Sequence, residues 1–253
     1  MGGMPWIDTH AHVSEEPFEE ACATVQRALD AGVNRIINIC TNQETLSNGH
    51  RLAQHFPGVF FNTGATTPHD LELLGDEDFI TFEHAALRGQ LVAIGETGLD
   101  TPTSPSQRDF LIRYAQLAAK LCLPLVIHCR NAFEELFSLL QSHKGTVILH
   151  CFTGTDEEVE EAVGRGWFIS ISGIVTFSNA KELRETCKGI PLPHLLLETD
   201  APYLSPHPYR GKRNEPSRIP LIGKCIAQCL DMEEEKVAHQ IYSNSLRAFD
   251  LPH

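Results

Sequence analysis

The sequence lacks the segments that would direct it to a membrane or out of the cell. No apolar run in its 253 residues approaches the length of about 20 residues that a membrane-spanning helix needs. The first residues, MGGMPWIDTHAHV, contain no basic segment followed by a long apolar core, so we expect no secretory signal. These absences predict a cytoplasmic protein, or a nuclear one if the source is eukaryotic.

Several binding motifs are also missing. The chain has neither a G-x-G-x-x-G nor a Walker phosphate loop, which argues against a doubly wound open sheet, the second fold considered. Its eight cysteines include no C-x2-C pair and predict buried, reduced thiols. Positive charge is scarce: the net charge is -13, which argues against a protein that coats long nucleic acid. An enzyme that grips one or two phosphates remains compatible, particularly where metal ions supply positive charge.

The chain does contain one repeated unit, a short apolar run followed by an amphipathic segment. Near-continuous apolar runs are typical of parallel strands that are covered on both faces. The eight candidate strands are 6–12, 35–40, 58–64, 91–96, 124–129, 146–151, 167–173 and 194–200. Eight such units in one chain of this length, without a flexible linker, predict an α/β fold: a single-domain (β/α)8 TIM barrel over residues 1–253.

Metal-ligating side chains stand at the ends of five of these candidate strands. The C-terminal ends of barrel strands surround one mouth, so residues far apart in sequence would converge there. Imidazole and carboxylate ligands suit Zn²⁺ or Mn²⁺, and Mg²⁺ where carboxylates dominate. Six ligands exceed the need of one tetrahedral ion and favour two ions that share a bridging carboxylate. The six residues are His10, His12, Glu96, His128, His150 and Asp200.

Two further features of the last unit have competing interpretations. Glu198 lies two residues before Asp200 and therefore on the same side of the strand. For Glu198 we favour a structural role, buried inside the barrel with a polar partner, over a catalytic role. Residues 206–224 then carry five basic side chains and one acid, Glu215. This basic segment predicts a phosphate-binding loop, and the alternative is a solvated surface loop.

The motifs DTHAH, GETGLD, PLVIHCRNA, ILHCFTG and LLLETDAPYL…RGKRNEP together resemble the TatD family of metal-dependent deoxyribonucleases, a branch of the amidohydrolase superfamily. The resemblance runs from about residue 6 to the C-terminal YSNSLRAF and implies a (β/α)8 barrel. It also implies a two-ion site with these ligands: His10, His12 and Asp200 for one ion, His128 and His150 for the other, and Glu96 between them.

The resemblance implies further roles for individual residues. Asp200 would accept the proton of the attacking water, so that Asp200 and Glu96 are the catalytic residues. Arg130, Arg210 and Lys212 match positions that the family uses around the substrate phosphate.

Three departures from the family pattern affect the expected substrate preference rather than the metal ligands. Thr101 and Pro102 replace an aromatic pair, Thr67 stands where a histidine is usual, and Tyr114 replaces a glutamine.

The function implied is hydrolysis of DNA, as a 3′→5′ exonuclease on single strands, with two divalent ions that are Mg²⁺, Mn²⁺ or Zn²⁺. The partner would be a DNA end or another phosphate-bearing substrate, and we expect a monomer. The alternative is a metal-dependent ester or amide hydrolase of the same superfamily, for example on aminoacyl-tRNA. Retention of all six ligand-type residues argues against a non-catalytic barrel.

Overall fold

A computed structural model describes residues 4–252, apart from the side chains of residues 72–74. Within these residues, eight parallel strands alternate with helices. The strands are β1 (Trp6–Ala11), β2 (Val33–Cys40), β3 (Phe60–Gly64), β4 (Ala93–Asp100), β5 (Leu125–Arg130), β6 (Val147–Leu149), β7 (Phe168–Ile171) and β8 (Leu195–Leu197). The α-helices are α1 (Phe18–Asp30), α2 (Gln43–His55), α3 (Leu71–Leu87), α4 (Pro105–Leu121), α5 (Phe133–Leu139), α6 (Asp156–Gly164), α7 (Lys181–Gly189), α8 (Ile219–Leu230) and α9 (Glu234–Ala248).

The strands form one sheet that curls into a barrel. Each strand pairs with the next in the order β1 to β8. The two ends of the sheet meet through a parallel bridge between Ala11 and Ala201. Two backbone hydrogen bonds support the closure: the Asp200 N–H donates to the His10 carbonyl at 2.9 Å, and the His12 N–H donates to the Ala201 carbonyl at 2.6 Å. The predicted (β/α)8 barrel is confirmed, and the open doubly wound sheet is wrong.

Two apolar clusters hold the barrel together. The larger cluster lies between the strands and the surrounding helices. The smaller one gathers strand residues such as Ile7, Ile37 and Leu196 with Leu246 and Phe249 from the C-terminal end of α9 and the residue after it. Burial of these apolar side chains is the main stabilising contribution to the fold.

Four strands end earlier than predicted: β1 by one residue, β6 and β7 by two, and β8 by three. β6 ends at Leu149 and β8 at Leu197, whereas the predicted segments ran to residues 151 and 200. Cys151 and Asp200 have φ values of 46° and 55°, in the left-handed region that strand residues do not adopt. His150 and Asp200 therefore lie in the turns that follow these strands.

β4, in contrast, is longer than predicted. It continues past Glu96 to Asp100, and Asp100 pairs in register with Arg130 of β5. Gly98 permits this continuation: its φ is 151°, and a Cβ atom there would overlap the carbonyl group of His128. The extra residues place a further carboxylate at the end of the barrel where the predicted ligands lie.

Among the described residues, no helix combines the length and the apolar character that crossing a membrane requires. The cysteine side chains described by the structure are all free thiols, as predicted, but Cys122 is exposed and four others are only partly buried, so the predicted burial holds for Cys40, Cys129 and Cys187. A capping box formed by Thr155 and Glu158 begins α6.

Candidate metal centre

A cavity of about 530 Å³ opens at the C-terminal ends of the strands. Five of the six predicted ligands line it: His12, Glu96, His128, His150 and Asp200. The sixth, His10, is fully buried next to them. The barrel thus brings together six residues that span about 190 positions of the sequence.

Glu96 lies at the centre of this group. Its Oε2 atom is 3.3 Å from His10 Nε2 and 3.8 Å from His12 Nε2. Its Oε1 atom is 3.0 Å from both His128 Nδ1 and His150 Nε2. The two oxygens of one carboxylate therefore face two different pairs of histidines.

Asp200 completes the first pair. Its Oδ1 atom lies 3.4 Å from His12 Nε2 and 3.7 Å from His10 Nε2. The hydrogen bond from its backbone to His10 holds the turn after β8 against the end of β1. The side chain of Asp200 is thereby placed on the same side of the cavity as both histidines.

The donor set fits a metal ion. The donor atoms of His10, His12 and Asp200 lie within 4.8 Å of one another, as do those of His10, Glu96 and His150. Within the described part of the chain, both ring nitrogens of His10 are buried without a hydrogen-bond partner. Buried polar atoms in folded proteins nearly always have a partner, and a bound cation would supply one.

The ionisable groups of this centre shift one another's pKa values. Burial would raise the pKa of Glu96, but His150 and the neighbouring imidazoles hold it well below its usual value. Burial would lower the pKa of His12, but hydrogen bonds to Asp200 and Glu15 raise it to about 10. The pKa of His150 is likewise raised, by Glu96 and Glu198, whereas burial and His150 lower that of His10.

Glu198 is the fully buried partner of His150. Its Oε1 atom is 3.1 Å from His150 Nδ1 and accepts a hydrogen bond from the Cys151 N–H at 2.7 Å. His150 therefore turns one nitrogen toward Glu96 and the other toward Glu198. Ligating histidines commonly have such a carboxylate on the ring nitrogen that points away from the metal.

Asp100 and His69 also belong to this group of side chains, although neither was predicted from the sequence. Asp100 Oδ2 is 3.1 Å from His128 Nε2 and 3.2 Å from His69 Nε2. Asp100 Oδ1 accepts a hydrogen bond from Arg130 Nε at 2.7 Å. The available signal was the aspartate that ends GETGLD, but the predicted strand stopped at Glu96.

The three predicted phosphate-binding residues have different surroundings. Arg130 lines the cavity. The Arg210 guanidinium stacks 3.6 Å from the centre of the Phe177 ring, and Lys212 Nζ lies 5.7 Å from the centre of the Tyr209 ring.

Two other basic residues of this segment make structural contacts. Arg213 binds Glu16 at 2.9 Å, and Arg218 donates a hydrogen bond to Ser205 Oγ at 3.0 Å. Part of the basic segment therefore fastens the loop to the barrel.

The departures from the family pattern also have defined positions. Thr67 lines the cavity and donates a hydrogen bond to Asp70 at 2.9 Å. Thr101 donates through its hydroxyl to the carbonyl of Asn131 at 2.9 Å. Tyr114 is buried, and its hydroxyl accepts a hydrogen bond from the Thr66 N–H at 3.1 Å. Thr67 is therefore in a position to contact a substrate, whereas Tyr114 joins α4 to the loop after β3.

Comparison with known proteins identifies the family. A family model described as TatD-related DNase matches residues 7–250. The chain belongs to the TatD family. A Bacillus subtilis relative named "uncharacterized metal-dependent hydrolase YabD" is 33% identical over 253 residues, covering 97% of this chain and 99% of the relative.

Other relatives agree with this assignment. An Erwinia billingiae protein named "3'-5' ssDNA/RNA exonuclease TatD" is 35% identical over 240 residues, covering 90% of this chain and 92% of the relative. The crystal structure of YjjV, a TatD homologue from Escherichia coli, superposes with a TM-score of 0.90 at 28% identity and covers 98% of each chain. The prediction of a metal-dependent hydrolase of the TatD family is confirmed.

Proposed function

We propose that this TatD-family enzyme binds two divalent metal ions and hydrolyses phosphodiester bonds at the 3′ end of single-stranded DNA. The first ion would be held by His10, His12 and Asp200. The second would be held by His128 and His150, and Glu96 would bridge the two. The contacts of Glu96 carry this proposal, because its two oxygens face separate groups of imidazole nitrogens.

The ions, when bound, lower the pKa of a water molecule and neutralise charge on the phosphoryl group. Asp200 accepts the proton of the attacking water: its carboxylate is ionised, because His12 and His10 overcome the effect of burial and lower its pKa. Arg130 faces the same cavity and offers a guanidinium to a non-bridging phosphate oxygen.

Two observations support single-stranded DNA as the proposed substrate: the name of the Erwinia relative and the net charge of the chain. The Erwinia relative is named as a 3′–5′ exonuclease on single-stranded DNA and RNA. A net charge of -13 disfavours binding along a duplex, where affinity comes from many phosphate contacts. A strand end that enters a cavity of about 530 Å³ needs few such contacts.

Digestion of end-labelled single-stranded DNA tests the proposal. With Mn²⁺ or Mg²⁺, a 3′ label should be released at once as a mononucleotide, while a 5′ label should pass through a ladder of shortened strands. A chelator should abolish both signals. Glu96→Gln should lower kcat about a thousandfold, because the ions contribute several kcal/mol of charge stabilisation in such a site.

Glu185→Gln is the matched control for Glu96→Gln. Glu185 is an exposed residue of α7 that pairs with Lys188, so this variant should retain wild-type activity. Binding of two Mn²⁺ per chain without release of nucleotides would contradict the nuclease assignment. In that case, turnover of aminoacyl-tRNA or simple esters at the same metal loading would favour the alternative hydrolase.

A further inference from the structure

Asp100, the last residue of β4, connects three side chains at the cavity. It is buried, and its carboxylate contacts His128 and His69 through Oδ2 and Arg130 through Oδ1. Its own backbone N–H donates to Gln107 Oε1 at 3.1 Å, which ties the end of β4 to α4. The carboxylate is thus fixed between a proposed metal ligand and a residue that faces the substrate.

We propose that Asp100 is a positioning residue that couples the second metal ion to the substrate phosphate, by orienting His128 and Arg130 together. The proposal rests on the two-ion function proposed above and extends it to a residue outside the six ligands.

The geometry of His128 supports the metal side of this coupling. Its Nδ1 atom is 3.0 Å from Glu96 Oε1 and 3.3 Å from His150 Nε2, so this nitrogen faces the second ion position. Its Nε2 atom points the opposite way, 3.1 Å from Asp100. A hydrogen bond from Nε2–H to the carboxylate fixes the tautomer that leaves the Nδ1 lone pair for the ion.

Arg130 supplies the substrate side. It follows His128 by two residues on β5, and its side chain is 63% exposed. Within the described residues, its guanidinium bonds to protein through Nε alone, and the bond goes to Asp100. The terminal guanidinium nitrogens are therefore held at the cavity and are available to a phosphate oxygen.

A third metal ion is the competing explanation, because donor atoms of His69, Asp100 and His128 lie within 4.8 Å of one another. Two observations argue against it. A neutral imidazole has a single lone pair, and in the tautomer that donates from Nε2 to Asp100 the lone pair of His128 is on Nδ1, the nitrogen 3.0 Å from Glu96. The Arg130 guanidinium, bound to the same carboxylate, would repel a cation at this position.

Mn²⁺ titration of the metal-stripped full chain tests the metal side. Asp100→Asn should weaken one of the two binding events about 10- to 100-fold, as is typical when the carboxylate behind a ligating histidine is changed. Arg130→Gln should leave both events unchanged. Asp76→Asn is the matched control, because Asp76 also pairs with an arginine, Arg113 at 2.7 Å, but on the surface of the barrel.

The substrate side is tested by KM for single-stranded DNA at saturating Mn²⁺. Asp100→Asn and Arg130→Gln should each raise KM about tenfold, the loss expected for one charge-assisted hydrogen bond. The double variant should raise KM no further, because both changes disturb the same contact. Thermal unfolding reports whether each variant folds, and Asp100→Glu, which keeps the charge but displaces it, replaces Asp100→Asn if that variant does not.

The outcomes separate this inference from the proposed function. Wild-type Mn²⁺ affinity in Asp100→Asn, or additive KM effects in the double variant, would overturn the coupling. Uptake of three Mn²⁺ by the wild type and two by His69→Ala would replace it with a third ion site. If the wild type binds Mn²⁺ but releases no nucleotide, the nuclease assignment fails, and the Mn²⁺ titrations still decide whether Asp100 positions His128.

Discussion

Among single residues, Glu198 is the buried carboxylate partner of a proposed metal ligand, His150. It is completely buried, and its Oε1 contacts His150 Nδ1. Glu198→Gln keeps an acceptor for this contact but removes the negative charge, so His150 becomes a less basic ligand. We expect Mn²⁺ affinity to fall about 10- to 100-fold. Titration calorimetry measures this, with Glu185→Gln as the surface control, and equal affinities in both variants would assign Glu198 to packing alone.

The histidines also predict that metal binding releases protons. Before metal binds, the raised pKa values of His12 and His150 favour protonated rings at pH 7, whereas the lowered pKa of His10 favours a neutral ring. A ligating imidazole must be neutral, so binding should release one proton from each of the two protonated rings. Affinity for Mn²⁺ should therefore fall as the pH falls.

Calorimetric titrations in two buffers of different ionisation enthalpy measure this release at pH 7. Each buffer takes up the released protons with its own enthalpy. The observed binding enthalpies should therefore differ by the number of released protons multiplied by the difference between the two buffers' ionisation enthalpies. Identical enthalpies in both buffers would show that His12 and His150 are already neutral before the metal binds, contrary to the expectation from their surroundings.

Among the elements, strand β4 shows what the sequence could and could not predict. Its apolar start, like those of the other strands, was recognised because a covered parallel strand needs a continuous apolar run. Its end was misplaced because Glu96, Thr97 and Gly98 interrupt that run, while the positive φ of Gly98 lets the strand continue to Asp100. Such backbone conformations depend on the neighbouring strand, here the carbonyl group of His128, and periodicity does not reveal them.

The packing of α8 on the barrel depends on another glycine. A Cβ atom on Gly223 would overlap the ring of Trp6, which is buried in β1. Gly223→Ala should therefore destabilise the fold by about 1–3 kcal/mol through overpacking. Gly189→Ala at the end of α7 is the control, because a Cβ there meets nothing within 4 Å.

Urea unfolding measures both glycine variants. Gly189→Ala should change the free energy of unfolding by no more than about 1 kcal/mol, and the change should be toward stability if helix propensity dominates. Equal free energies of unfolding for the two variants would show that α8 can move away from Trp6 at no cost.

In the whole molecule, the convergence of the six candidate ligands could be predicted because strands that follow one another in sequence are neighbours in the barrel. Residues as distant as His10 and Asp200 meet because β1 and β8 are neighbours in the closed sheet. The basic loop was less predictable, since its position depends on contacts such as that between Arg213 and Glu16, 197 residues apart in sequence. The order of the strands was therefore enough to predict where the six candidate ligands meet, whereas the contacts of Arg210 and Lys212 could be seen only in the structure.

The net charge of the whole chain leads to a prediction of how KM depends on salt concentration. For a single-stranded substrate held through one or two phosphates, the logarithm of the binding constant should fall against the logarithm of the salt concentration with a slope of about -0.7 to -1.4. KM should therefore rise only about three- to sevenfold between about 50 and 200 mM salt. Repulsion between DNA and a chain of net charge -13 is screened over the same range, which reduces the rise further.

KM measured on end-labelled strands at fixed Mn²⁺ provides the test. A shallow dependence agrees with recognition of a strand end inside the cavity, where Arg130 and the two proposed ions would supply positive charge locally. A rise of about a hundredfold or more would mean that many phosphates are contacted at once. The substrate would then have to follow a basic path outside the cavity, and the segment that contains Arg210 and Lys212 is the part of this acidic chain where such a path would run.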